Sequence, residues 1–154
     1  MRTIPKIAAA LTAMTLATCP LLAAEIEVEM LNRGAEGVMV FEPSLIKLAP
    51  GDTVKFMPTD RGHNVETIKG MLPEGAESFA GKLNEEVTIT FDKPGVYGVR
   101  CKPHYGMGMV GLIVVGEPAN TDNAKAVTHP GRAKQIFAKL FDRLATEQTA
   151  MKQP

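Results

Sequence analysis

Tryptophan is absent from the 154 residues, and aromatic side chains make up only 5% of them. Any core must therefore be filled mainly by Val, Ile, Leu, Met, Ala and Phe. Neither sign of charge is in excess, with 17 basic residues against 17 acidic ones. A protein that binds nucleic acid by bulk charge needs a surplus of Lys and Arg to displace counterions, so that class is excluded. Internal repeats and low-complexity tracts are missing too, which removes the repeat architectures. A membrane span is lacking: the apolar run over residues 8–19 is marginal in length, is followed by Pro20 and has no stop-transfer flank. Cysteine is scarce, with Cys19 and Cys101 the full complement. What remains is ordinary for one globular domain, at 45% hydrophobic and 22% charged residues, and the 14 Gly and 11 Pro imply frequent turns.

The N-terminus reads as an export signal. Arg2 and Lys6 give a positive start, an apolar run follows, and Leu21-Leu22-Ala23-Ala24 offers a small-residue cleavage site. Residues 1–23 are expected to be removed, with the cut after Ala23 or Ala24. Leu16-Ala17-Thr18-Cys19 loosely resembles a lipoprotein signal, but Thr18 before the cysteine and Pro20 after it fit poorly. No twin-arginine pair is present, so the chain is expected to cross the membrane unfolded and to load any metal outside the cytoplasm. Cleavage removes Arg2, Lys6 and Cys19, leaving a slight acidic excess and a single cysteine, Cys101. One cysteine cannot form an intrachain disulfide, and a free thiol in an oxidising compartment is a hazard, so Cys101 needs another role.

From Glu25 to Gly116 the pattern is short strands between turns. Glu25 to Leu31, Thr53 to Met57 and Val87 to Phe91 alternate with period 2, and Met109 to Val115 is apolar throughout, as a strand buried on both faces would be. Val38 to Phe41, Ser44 to Leu48, His63 to Val65 and Val96 to Cys101 complete the set. Met71 to Asn84 reads as a long irregular connection with room for one helical turn. The fold class expected is all-β, a Greek-key sandwich of about eight strands over residues 24–116. A C-terminal α-helical appendage, residues 117–154, is expected to pack on it. There Ala133, Ile136, Phe137, Leu140, Phe141 and Leu144 fall on one helix face, with Thr128 as the expected cap and Pro130 in the first turn. Thr121 to Val127 suggests a shorter helix.

The chemistry concentrates in Cys101-Lys102-Pro103-His104-Tyr105-Gly106-Met107-Gly108-Met109. A Greek-key fold can bring the distant His63 beside this loop. Two imidazoles, one thiolate and a weak thioether are the ligands of a blue-copper electron-transfer site. Thiolate and thioether suit Cu(I), imidazole suits both oxidation states, and a closed site leaves no position for substrate. Met107 and Met109 both have suitable spacing; Met109 opens the buried strand, whereas Met107 lies between two glycines. His129, ahead of the long helix, is expected to be exposed or part of a cap. Competing readings are a copper chaperone, suggested by nine dispersed Met residues, and a structural zinc protein using the same His, Cys and His. A copper enzyme has least support, since no further His or carboxylate cluster offers an open site.

The chain resembles the pseudoazurins, a family of bacterial cupredoxins. The matching stretches are Met30-Leu31-Asn32, Gly34-Ala35-Glu36-Gly37, Met39-Val40-Phe41-Glu42-Pro43, Pro50-Gly51-Asp52-Thr53-Val54, Gly62-His63-Asn64-Val65-Glu66, Pro73-Glu74-Gly75-Ala76-Glu77 and Cys101 through Met109. The resemblance implies one type 1 copper ion held by His63, Cys101, His104 and Met109, with Asn64 bracing the cysteine loop. It implies a periplasmic electron carrier rather than an enzyme. Docking would use an apolar patch of Met39, Pro103, Gly106 and Met107, ringed by Arg33, Arg61, Arg100 and Lys102, with Ala80 and Gly81 leaving one flank uncharged. The partners implied are nitrite reductase, nitrous oxide reductase and c-type cytochromes, met by a monomer.

Overall fold

The computed structural model describes residues 22–151. The expected signal, residues 1–23, lies outside them apart from its last two positions. Eight strands follow: β1 (Glu25–Gly34), β2 (Gly37–Glu42), β3 (Leu45–Leu48), β4 (Asp52–Met57), β5 (Glu66–Thr67), β6 (Val87–Phe91), β7 (Gly95–Arg100) and β8 (Val110–Val115). Two helices end the described chain, α1 (Thr121–Lys125) and α2 (Ala133–Met151). The strands form two four-stranded sheets, in the orders β2-β1-β4-β6 and β3-β8-β7-β5. The expected sandwich of about eight strands with a C-terminal helix is what forms.

Period 2 explains how the layers assemble. Along β7 and β8, Tyr97, Val99, Ile113 and Val115 point into the core between the sheets, with Val28, Phe41, Val54, Phe56 and Phe91. Their neighbours Val96, Val110, Leu112 and Val114 point the other way, onto Phe137, Leu140, Phe141 and Leu144 of α2. Helix α2 thus covers the outer face of the second sheet, which is why β8 is buried at all six positions. Gly98 lies on the same outer face, where a Cβ would meet the Met71 sulfur at 2.4 Å.

Three local expectations are corrected. His63 to Val65 is not a strand. Its carbonyls bond the irregular connection instead, with Asn84 N–H donating to His63 O at 2.8 Å and Gly81 N–H to Val65 O at 2.8 Å. Helix α2 begins at Ala133, not after Thr128, because Gly131 takes a left-handed φ of 52° and Arg132 N–H donates to Gly106 O at 3.0 Å. Met71 to Asn84 carries no helical turn; a 3-10 turn forms instead at Tyr105–Met107.

Candidate metal centre

Antiparallel strands β7 and β8 pair up to Arg100 opposite Val110. The nine residues Cys101 to Met109 form the loop that joins them. Hydrogen bonds within the loop fold it tightly: Cys101 N–H to Met109 O at 3.0 Å, His104 N–H to Cys101 O at 3.2 Å, and Met109 N–H to His104 O at 3.2 Å. Gly108 adopts a φ of 96°, with Ile136 3.0 Å from where a Cβ would stand. His63 enters from the segment before β5, directly after Gly62 at φ 96°.

These elements bring three donors together. His63 Nδ1 and His104 Nδ1 are 3.1 Å apart. Cys101 Sγ lies 3.7 Å from His63 Nδ1 and 3.5 Å from His104 Nδ1. Donors bound tetrahedrally at about 2.0 Å for nitrogen and about 2.3 Å for sulfur would be about 3.3 Å apart for two nitrogens and about 3.5 Å for nitrogen and sulfur. The observed triangle matches that size. His63, Cys101 and Met109 are fully buried and His104 is half-buried.

Hydrogen bonding decides which nitrogen of His63 is free. Its Nε2 stands 3.0 Å from Asn32 Oδ1, an acceptor, so Nε2 carries the proton. The Nδ1 lone pair then faces the sulfur and the other imidazole. Two lone pairs and a thiol converging in a buried space call for a cation between them. Burial pushes the Cys101 thiol up, only partly offset by the Asn64 and His104 amides, and burial together with His104 pushes the His63 ring down. Neutral imidazole is ready to ligate, and a metal's charge would favour the thiolate. The donor set is soft on one side and borderline on the other, which fits copper.

A sequence model of the copper-binding proteins of the plastocyanin/azurin family matches residues 28–116. The chain belongs to that family, among its pseudoazurins. It is 52% identical over 130 residues to a pseudoazurin from Paracoccus pantotrophus, covering 84% of this chain and 90% of the relative. Among solved structures, a Sinorhizobium pseudoazurin superposes with a TM-score of 0.77 at 53% identity, covering 79% of this chain and 96% of the other. The pseudoazurin of Methylobacterium extorquens AM1 gives 0.76 at 50% identity, covering 78% and 98%. This pseudoazurin homologue is an electron-transfer protein with a His-Cys-His-Met type 1 copper site, and it is not an enzyme.

Asn64 Oδ1 accepts from Lys102 N–H at 2.8 Å, and its Nδ2 donates to Gly81 O at 3.1 Å, tying the loop to the irregular connection. Pro103, Gly106 and Met107 are exposed, and Met39 is half-buried with a φ of 50°. Arg33, Arg61 and Lys102 are exposed. Arg100 differs from them: it pairs with Glu66 at 2.7 Å and lies over the Tyr105 ring, 4.8 Å from its centroid. The expectation of an exposed His129 is corrected. It is buried, stacks on Phe137 with ring centroids 4.2 Å apart, and meets the Tyr105 hydroxyl at 2.6 Å. The docking of α2 buries it, and no local pattern reports that.

Sequence reasoning missed Asn32 and the Tyr105–His129 pair. Asn32 follows the alternating stretch of β1 and reads as a turn residue. Its partner is 31 positions away. The one available signal was its place in the stretch Met30-Leu31-Asn32 that resembles the family.

Proposed function

We propose that this protein shuttles single electrons in the periplasm, with His63, Cys101, His104 and Met109 holding one copper ion and the surface around His104 meeting the redox partner. A copper ion there supplies a one-electron couple between Cu(II) and Cu(I). The observation that carries the reading is the converging triangle of His63 Nδ1, Cys101 Sγ and His104 Nδ1, with distances of 3.1, 3.5 and 3.7 Å. Met109 is buried at the end of the same loop, where its thioether suits the weak fourth position.

The chain's own residues do the rest. Asn32 and Asn64 fix His63 and the loop, so little has to move when an electron arrives. The sandwich core excludes water from Cys101. His104 carries the electron outward, because it alone among the three converging donors reaches the surface. Pro103, Gly106 and Met107 surround it with small apolar surface, which suits a brief encounter. Arg33, Arg61 and Lys102 are exposed and offer positive charge for docking, so steering would come from charge distribution rather than net charge. Partners with acidic docking faces fit this arrangement, and nitrite reductase, nitrous oxide reductase and c-type cytochromes are the candidates.

The test is the visible and EPR spectrum of the mature chain with one equivalent of Cu(II), alongside Cys101→Ser. An intense blue thiolate-to-copper band in the parent and none in the variant is expected. A pale parent that is otherwise folded would overturn the assignment. Reduced protein should then pass electrons to purified nitrite reductase in a stopped-flow mixing experiment; no transfer would remove that partner.

A further inference from the structure

We propose that His129 is a positioning residue for the copper loop, acting through the Tyr105 hydroxyl to hold His104 at its donor position. The inference rests on the electron-carrier reading above.

The two imidazoles are anchored differently. His63 Nε2 is fixed by Asn32. His104 Nε2 has no hydrogen-bond partner among the described residues, and the ring is half-buried. Its orientation must therefore come from the loop backbone. Tyr105 is the next residue, and its side chain is held at both face and tip. Arg100 lies over the ring face and is itself tied to Glu66 of β5. The hydroxyl meets His129 Nδ1 at 2.6 Å.

His129 is in turn immobilised by the ring of Phe137, which is buried on the inner face of α2. The same C-terminal stretch grips the loop twice more. Arg132 N–H donates to Gly106 O at 3.0 Å, and Gly108 is packed closely against Arg132 and Ile136. Of these links, only the Tyr105–His129 bond joins two side chains by a hydrogen bond, so a change at His129 can remove it alone. A loop held at Tyr105, Gly106 and Gly108 cannot swing His104 away without breaking them. His129 thus does for His104, at one remove, what Asn32 does for His63. Groups that orient ligands in this way typically change metal affinity or activity by about 10–100-fold.

The test uses the full mature chain carrying Tyr105→Phe, His129→Phe, or both. Each single change deletes the hydrogen bond and keeps an aromatic ring in place. Copper release to a strong chelator should quicken about tenfold in each single variant, and the EPR copper hyperfine splitting should change in both. The double variant should be no worse than either single one, because one shared bond is lost. In the metal-free protein, the Met107 and Gly108 amides should exchange with solvent faster in the variants. The proposal is overturned if both single variants match a blue parent in release rate and EPR spectrum, or if the two effects multiply in the double variant. Should His129→Phe fail to fold, His129→Leu takes its place, because Tyr105→Phe also takes the hydroxyl away from Arg100. A pale parent would overturn the carrier reading and this inference with it.

Discussion

The bond between His63 Nε2 and Asn32 Oδ1 gives the sharpest prediction. His63 is fully buried, whereas Asn32 lies at the exposed end of β1. Two substitutions separate the contribution of the bond from the cost of an orphaned N–H. Asn32→Ala removes the acceptor but opens a path for water to replace it. The expected loss is that of one ordinary hydrogen bond, about 0.5–1.5 kcal/mol in the metal-free protein. Asn32→Leu removes the acceptor and seals the position. Nε2–H then stays buried without a partner, and the loss should rise to about 1–3 kcal/mol. Freed of its acceptor, His63 can also place its proton on Nδ1, the atom that must ligate. Copper affinity should therefore fall about 10–100-fold in Asn32→Leu and less in Asn32→Ala. Urea unfolding of the metal-free forms gives the first quantity, and competition with a chelator of known affinity gives the second. Equal stability and equal copper affinity for parent and Asn32→Leu would refute the claim that Asn32 fixes the His63 tautomer. A Leu variant no worse than the Ala variant would refute the desolvation argument.

Other predictions concern the helix, acidity and docking. Phe137→Ala should destabilise the fold by about 3–5 kcal/mol, since the ring is buried between α2 and the second sheet, and a urea midpoint within error of the parent would sink that. Burial holds the His129 ring below its ordinary value of 6.5. The unfolded chain therefore takes up this proton at higher pH than the folded one, and stability falls as pH drops through about 6.5 toward the folded value. Urea midpoints of the metal-free form between about pH 7 and 5 should show that slope, and His129→Phe should lessen it, leaving the part that buried His63 contributes; parallel profiles would exclude His129 as a contributor. Reversing charge at Arg61 and Lys102 should slow electron delivery to nitrite reductase several-fold at low salt, with the difference fading as ionic strength rises; a salt-independent difference would argue against steering.

Much of this was legible before any fold was known, because it depends on neighbours in sequence. Alternation in Thr53 to Met57 and Val87 to Phe91 marks strands, since side chains on a strand face opposite ways at every step. The unbroken apolar run of β8 marked a strand covered twice, and the spacing from Ala133 to Leu144 marked the helix face that covers it. The chemistry was legible too. Thiolate, imidazole and thioether within nine residues restrict the metal through ligand softness alone, whatever the fold. His63 to Val65 was misread as a strand because local β propensity does not register that its carbonyls are taken by the connection from Gly81 to Asn84.

Contacts that span a long loop of chain come from packing alone. His63 meets His104 across 41 positions, Asn32 meets His63 across 31, and Tyr105 meets His129 across 24. None of these contacts leaves a periodic trace, because each depends on how two sheets and a helix stack. Residue types and their spacing fix which atoms can bind copper and which segments can be strands or helix. Only the packing decided which nitrogen of His63 faces the cysteine, that Arg100 is tied up by Glu66, and that a histidine expected at the surface is buried against the copper loop. Ligand chemistry belongs to a residue, but orientation and burial belong to its neighbours, and those neighbours are brought together by hydrophobic surfaces far apart in the chain.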